Sequence, residues 1–428
     1  MKIAKKKPKV VIVGGGFGGL SAAKKLSGSP VDVTLIDRKN HHTFQPLLYQ
    51  VATSALSPGE IASPLRHILS RARNVEVVMD EVVGVNADSR QVLLKHGPEL
   101  QYDYLIVAAG ARHSYFGHDE WEQNAPGLKT IEDAVEIRRR VLLAFEQAER
   151  EAYLTGAHGP LNFAIIGGGP TGIEVAGAIA DITRDVLALD LKAIDISNTR
   201  VMLFEGLPRL LSVFPEALSL KAEAQLKELG VEVHTNSLVT SVESNRIKVG
   251  EEWLPTRVTV WATGVAASPL GKTLAAQTPG VKVDKAGRVL VSSDLSLPGR
   301  PEIFVIGDLS SLTDANGKPV PGLGAAALQE GKITAANILR DLRGKERLPF
   351  RYWDKGTMAT IGRRRAVAQV GRWQFSGFFA WLMWLFIHVI LLVGLRNRLM
   401  VMSEWAWAYF TRERSARLIT GETDPPTT

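Results

Sequence analysis

Two glycine-rich turns carry the chemistry that this sequence can do. Val10-Val-Ile-Val-Gly14-Gly-Gly16-Phe17-Gly-Gly19 and Phe163-Ala-Ile-Ile-Gly167-Gly-Gly169-Pro-Thr171-Gly172 each follow a short β-branched run and lead into a helix-like stretch. In such a turn the first glycine makes the bend, the second lets a pyrophosphate approach the backbone, and the third lets helix close on strand. The anion then rests on backbone N–H groups at the positive end of the helix dipole. One motif is weak evidence. Two of them, 153 residues apart, predict two dinucleotides and electron transfer between them.

An acid follows each turn. Asp37, next to Arg38, ends the run Val31–Asp37, 23 residues after Gly14, where a carboxylate can hydrogen-bond a ribose 2′-hydroxyl. The plainer alternative is a solvated loop acid. Glu205 ends Arg200–Glu205, 38 residues after Gly167, and extra helix around 181–195 accounts for the longer spacing. An acid there repels a 2′-phosphate and favours NADH over NADPH, although Arg209, four residues on, keeps NADPH open.

The elements that must position these residues are readable from pattern. Strands are expected at 10–14, 31–37, 75–79 and 104–110, with helices at 17–27 and 131–154. A second βαβ unit begins at Phe163, with later strands at 200–205, 258–264 and 303–308 and a helix at 324–343. The order predicts one nucleotide domain inserted into another, 126–294 within 1–125 and 295–350. A C-terminal domain at 351–428 follows. With 428 residues, 45% of them apolar, the chain can bury two or three cores and is not disordered by composition.

Cysteine is absent, which removes disulfide, iron–sulfur and thiolate chemistry, and no metal-ligand spacing is visible. The net charge of +7 gathers at the ends. Lys2, Lys5, Lys6, Lys7 and Lys9 precede the first strand, and nine arginines face four acids from Ile361 onward. No aromatic-basic surface for nucleic acid accompanies them, so anionic lipid is the better partner for the C-terminal arginines, while the lysines suit a solvated tail equally well. Residues 375–395 carry no formal charge. They suit a membrane span, a buried or dimer-interface helix, or an interfacial anchor. An anchor would set Trp381, Trp384, Trp405 and Trp407 at headgroup level and Arg396, Arg398, Arg412, Arg414 and Arg417 toward lipid. His388 reads as a packed or interfacial side chain rather than a ligand.

Beyond these motifs the sequence resembles the type II NADH dehydrogenases, the single-subunit NADH:quinone oxidoreductases. The resemblance rests on Asn40-His-His-Thr-Phe-Gln45-Pro-Leu-Leu-Tyr-Gln-Val-Ala-Thr53, Leu56-Ser-Pro and Pro64-Leu-Arg66. It continues through Gly167–Asp181, Trp261-Ala-Thr-Gly264, Gly307-Asp308, Gly356–Arg363 and Gly394–Leu399. It implies non-covalent FAD at Gly14, Gly16, Phe17, Gly19, Asp37, Arg38, Gln45, Ala109, Gly110 and Asp308. NADH would sit at Gly167, Gly169, Thr171, Gly172, Glu205 and Gly264. In this family the acid matching Glu174 lies near the two reacting rings and assists proton movement; its plainer reading is a first-turn acid stabilised by the helix dipole. Gln329 matches a quinone-site glutamine, or is only a polar residue near a helix start, and Ala325 stands where the family often has a second glutamine. Lys355 matches a basic position able to stabilise reduced flavin, or is a surface lysine.

The expected fold is therefore α/β, with two Rossmann-like dinucleotide-binding domains plus a C-terminal helical membrane-anchoring segment. The implied activity passes two electrons from NADH to a lipid-soluble quinone without proton pumping, since no transmembrane relay of ionisable residues is visible. The family is monotopic, which implies a peripheral protein on the cytoplasmic face of the cell membrane; a homodimer is left open. A sulfide:quinone oxidoreductase would need redox cysteines. Three alternatives stay open: an NAD(P)H-dependent reductase of a demethylated naphthoquinone precursor, a soluble ferredoxin- or rubredoxin-type reductase, and a flavoprotein redox sensor.

Overall fold

A computed structural model describes residues 7–314, 317–414 and 416–421, so Lys2, Lys5 and Lys6 of the basic N-terminal cluster lie outside it. In chain order the elements that matter begin with β1 (Lys9–Val13), α1 (Phe17–Leu26), β2 (Asp32–Asp37), α2 (Leu48–Ala52), β3 (Val75–Met79) and β4 (Tyr104–Val107). Then come α3 (Ile131–Thr155), β5 (Asn162–Ile166), α4 (Pro170–Ile182), β6 (Arg200–Phe204), β7 (Val231–His234), β8 (Val258–Trp261) and α5 (Pro269–Gln277). The chain continues through β9 (Ser296–Leu297), β10 (Arg300–Val305) and α6 (Gly324–Asp341). It closes with β11 (Thr357–Gly362), β12 (Arg365–Val370), β13 (Trp373–Ser376), α7 (Phe378–Leu391) and α8 (Leu395–Thr411).

Two compact units result. The first comprises residues 1–43, 63–112 and 265–353. Its sheet runs β9-β10-β4-β1-β2-β3, with β1 parallel to both β2 and β4. Strand alternation divides β1 between two cores. Val10 and Ile12 join Leu20 and Leu26 of α1 and Ala335 and Ile338 of α6. Val11 and Val13 join Leu270 and Leu274 of α5 on the other side. The helices α1 and α6 meet backbone to backbone: a Cβ on Gly331 would lie 2.1 Å from the Gly18 carbonyl oxygen, and Ser21 donates to the Leu328 carbonyl at 2.8 Å.

The second unit comprises residues 44–62, 113–264 and 354–428. Its parallel sheet runs β7-β6-β5-β8, so β5 has partners on both sides, as β1 does. The insertion before β6 is helical as expected, a π turn at Thr183–Leu187 followed by a short helix at Ala188–Asp190. The boundaries differ from those expected at 125 and 294. Residues 265–294 group with the first unit because Ala267, Leu270, Leu274 and Val289 fill the core under β1 and β4. The C-terminal residues are no third unit: β11 packs on α4, and a Cβ on Gly177 would strike the Ile361 carbonyl oxygen at 1.7 Å.

The apolar run 375–395 is not one helix. It begins in β13, forms α7, and breaks at Leu392-Val-Gly394, where Gly394 has φ +91°. At 14 residues α7 is about 21 Å long, short of a hydrocarbon core of about 30 Å. Among the described residues no helix is long and apolar enough to cross a membrane. Ala380, Trp384 and His388, four residues apart, form the buried face of α7, so Trp384 is a core side chain rather than a headgroup-level one. His388 stacks on Trp384 with ring centroids 4.1 Å apart, and burial lowers its pKa to about 4.

Helix propensity alone makes Gly331→Ala stabilising by about 1 kcal/mol. Contact with the Gly18 backbone reverses the sign, and a loss of about 2 kcal/mol or more is expected. Urea denaturation decides it: a raised midpoint would mean that α1 and α6 do not touch there.

Candidate active site

In the first unit the glycine turn leaves β1 where its neighbours lie on opposite sides, the place where an open α/β sheet leaves a crevice. Gly14 has φ +101°, and a Cβ on it would lie 2.3 Å from the Ala108 carbonyl oxygen. A Cβ on Gly19 would lie 1.8 Å from the Gly14 oxygen, so α1 starts hard against the turn. Around Gly16 the opposite holds: nothing lies within 4 Å of the Cβ position, and no side chain caps the helix. The turn thus leaves room for a pyrophosphate at a helix start. Asp37 closes it. Its Oδ2 accepts from the Gly15 N–H at 2.6 Å and its Oδ1 from the Lys39 N–H at 2.7 Å.

Ala109 and Gly110 follow β4, half-buried. Phe17 meets the buried His42 ring edge-on at 5.2 Å, and His42 Nδ1 pairs with the Gly15 carbonyl at 3.0 Å. Burial lowers the His42 pKa, against the Gly15 carbonyl, which favours the charged ring. Asp308 lies in the 3-10 turn Gly307–Leu309 rather than in a strand. Arg38 is exposed and pairs with Glu81 at 3.9 Å. Gln45 is exposed and belongs to the second unit.

The second unit repeats the cradle. Gly167 has φ +116°, a Cβ on Gly172 would lie 1.8 Å from the Gly167 oxygen, and the Cβ position at Gly169 is open. Glu205 does what Asp37 does: its Oε2 accepts from the Gly168 N–H at 2.7 Å, its Oε1 from the Leu207 N–H at 2.8 Å. Arg209 is committed elsewhere. Its guanidinium donates to the carbonyls of Phe214 and Ser212, each at 2.7 Å, and to the Ser219 hydroxyl at 2.8 Å. The cation that left a 2′-phosphate open is thus spent on holding its own loop. Gly264, with φ +70°, abuts Ser114 and the Phe116 ring, and Thr171 lies in the first turn of α4.

Glu174, also in the first half of α4, is the most perturbed acid of this unit. Burial pushes its carboxyl up to about 8, against the Thr360 backbone N–H, which favours the ionised form. It therefore holds a proton at neutral pH. Gln329 of α6, in the first unit, is fully engaged. Its Oε1 accepts from the Trp353 N–H at 3.0 Å, and its Nε2 donates to the Trp353 carbonyl at 3.1 Å. Lys355 is exposed.

Sequence reasoning missed Glu330. It is 2% exposed on the inner face of α6 and accepts from the Gly307 N–H, with the Ser310 hydroxyl also bonded to it. Burial and the neighbouring Asp308 push it up to about 7. The signal was present: helical spacing sets Glu330 with Ala326, Ala327 and Thr334, an acid on an apolar face.

Comparison with known proteins gives the family and the fold. The family Pyridine nucleotide-disulphide oxidoreductase matches residues 8–331, and the NDH2 C-terminal domain matches 354–413. The chain is 44% identical to the type II NADH:quinone oxidoreductase NdhA of Mycobacterium tuberculosis, over 97% of this chain and 90% of that protein. The chain belongs to the type II NADH:quinone oxidoreductases. A second relative in this family, Ndh of the same organism, is 43% identical over the same shares. The fold is that of Plasmodium falciparum NDH2, solved in complex with NADH, at a TM-score of 0.88, 22% identity, and coverage of 96% of this chain and 100% of that one.

Glu330 gives a signed pH prediction. Its carboxyl is raised in the fold, so ionisation opposes folding; the penalty is absent below about pH 4.5 and complete above about pH 7. Glu330→Gln keeps an acceptor for Gly307 and removes that penalty. The variant should match the parent at about pH 4 and be more stable by about 3 kcal/mol at about pH 8 in denaturant titrations. An equal difference at both pH values would refute ionisation as the cause.

Proposed function

We propose that this chain is an FAD-dependent oxidoreductase that passes two electrons from NADH to a quinone. Two cradles of identical design, each closed by an acid, in a chain with this family membership carry the reading. When bound, FAD supplies the two-electron relay between the nicotinamide and the quinone. Gly14, Gly16, Phe17, Gly19, Asp37, Ala109, Gly110 and Asp308 would hold it, with the segments 1–43, 63–112 and 265–353 as its domain. Gly167, Gly169, Thr171, Gly172, Glu205 and Gly264 would hold NADH. The open space at Gly16 and Gly169 and the spare lone pairs of Asp37 and Glu205 suit two adenosine diphosphate moieties. With Arg209 locked, the negative Glu205 selects NADH.

Glu174 would act as the proton-holding acid. Gln329 would serve the quinone site by fixing the exposed Trp353, since its own carboxamide is occupied. Lys355 would supply a cation to the reduced cofactor.

The helices α7 and α8 would lie in the membrane interface on the cytoplasmic face, where NADH is available. Phe379, Leu382 and Phe386 of α7 and Leu395, Leu399 and Phe410 of α8 are exposed, with Phe410 82% accessible. A set of exposed apolar side chains this large on neighbouring helices, beside Arg396 and Arg412, suits an anionic bilayer surface.

Protein loaded with FAD should be bleached by NADH and recoloured by a short-chain quinone, with NADPH at least about tenfold poorer in kcat/KM. Bleaching without recolouring would remove the quinone from the reading. Replacing Phe379, Phe386 and Phe410 by Ser should abolish flotation with anionic vesicles while leaving turnover with a water-soluble quinone. Unchanged flotation would place the membrane contact elsewhere.

A further inference from the structure

The turn that carries Asp308 is built against the first cradle. A Cβ on Gly18, in the first turn of α1, would lie 3.1 Å from Ile306 Cδ1, and one on Gly324 would lie 3.0 Å from the Phe17 ring. Directly after Ile306 comes the 3-10 turn Gly307–Leu309, with Asp308 at its centre. Glu330 of α6 bonds this turn on both sides of Asp308. It accepts the Gly307 N–H and is bonded to the Ser310 hydroxyl. Ser310 Oγ also donates to the Gly307 carbonyl at 2.9 Å.

A serine hydroxyl has a single hydrogen. Once that hydrogen goes to the Gly307 carbonyl, Ser310 Oγ can only accept, and the hydrogen between it and Glu330 must come from the carboxyl. The acid form therefore closes a ring: carboxyl to Ser310, Ser310 to the Gly307 carbonyl, Gly307 N–H back to Glu330 Oε2. In the ionised form the serine hydrogen turns to the carboxylate, and the Gly307 carbonyl is left with the Ser310 N–H.

Charge acts in the same sense. Asp308 is the charged group that acts on the buried Glu330, and no cation pairs with it among the described residues. The only ionisable groups of α1, Lys24 and Lys25, are exposed in its last turn. On α6, Lys332 is exposed, Arg340 lies in the last turn, and Asp341 is held by Arg347. Arg300 and Glu302 of β10 pair with Asp88 and Arg90. Ionised Glu330 is thus a second negative charge beside Asp308, and a pyrophosphate in the adjoining cradle would add more, favouring the acid form.

We infer that Glu330 is a positioning residue of the FAD site: in its acid form it clasps the turn and sets Asp308 for the cofactor, so that FAD is held more tightly while Glu330 keeps its proton. Coupling of this kind is reciprocal, so binding of FAD also strengthens the hold of Glu330 on that proton. Burial and Asp308 push the carboxyl up to about 7, which sets the direction: affinity for FAD falls as pH rises through neutrality. The inference rests on the reading of the first cradle as the FAD site.

The test uses full-length protein loaded with FAD, diluted and ultrafiltered at two pH values, with released flavin read by fluorescence and folding checked by circular dichroism. The parent should bind FAD about fivefold or more weakly at about pH 8.5 than at about pH 6. Glu330→Gln puts an N–H where the acid form has its O–H, and should hold FAD at both pH values as tightly as the parent does at the lower one. Ser310→Ala opens the ring with Glu330 in place, and should loosen FAD at the lower pH toward the parent's upper value. His42 and every other titratable group are common to the parent and Glu330→Gln, so the difference between those two proteins belongs to Glu330. An equal loss of affinity with pH in both, or none in the parent, overturns the inference and leaves the FAD reading standing. Flavin retained by neither protein at either pH removes both.

Discussion

The structure depends on one interaction used twice: a carboxylate at the end of the second strand accepting the N–H of the middle glycine. Asp37 grips Gly15 and Glu205 grips Gly168, each with its second oxygen on the backbone two residues further on. The bond ties the first strand to the second at the point where the sheet opens. It also spends part of each carboxylate on the protein, leaving lone pairs oriented outward for hydroxyl groups. A charge held by two backbone donors is satisfied without a cation, so the cradle stays open to an anionic ligand.

Much of this was legible in the sequence because it is local. Glycine spacing, β-branched runs and a terminal acid define a βαβ unit over a few dozen residues, and both units formed as those patterns imply. What was not legible depends on contacts between distant segments. Arg209 looked like a cation available to a phosphate, and only the fold shows its donors taken by Ser212, Phe214 and Ser219. The segment 44–62 looked like part of the first nucleotide domain. It groups instead with the C-terminal helices, through bonds such as Asn397 to the Ala62 carbonyl that span hundreds of residues. Trp384 looked interfacial by composition, yet four-residue spacing with Ala380 and His388 turns it inward. Glu330 could have been found from helical phase alone.

Two acids, Glu174 and Glu330, are raised chiefly by burial, but they have different company. Glu330 holds the Gly307 turn and has Asp308 as its charged neighbour, which adds repulsion to desolvation. Glu174 has a single backbone donor opposing its desolvation. Glu174 itself is half-buried, and an acid drawn partly out of water with few partners is costly to ionise, the condition for giving or taking a proton without a large driving force.

The break at Leu392–Gly394 also bears on how the protein comes to be where it works. An unbroken apolar helix of membrane length is committed to insertion as it is made. Here the run is divided among the end of β13, the helix α7 and the first residue of α8, with Ala380, Trp384 and His388 of α7 already packed inward, so on the proposed placement the chain would finish folding before it meets lipid. On the interfacial placement proposed for α7 and α8, residence at a membrane would follow mass action, set by available surface and lipid charge. It could redistribute within the lifetime of one molecule.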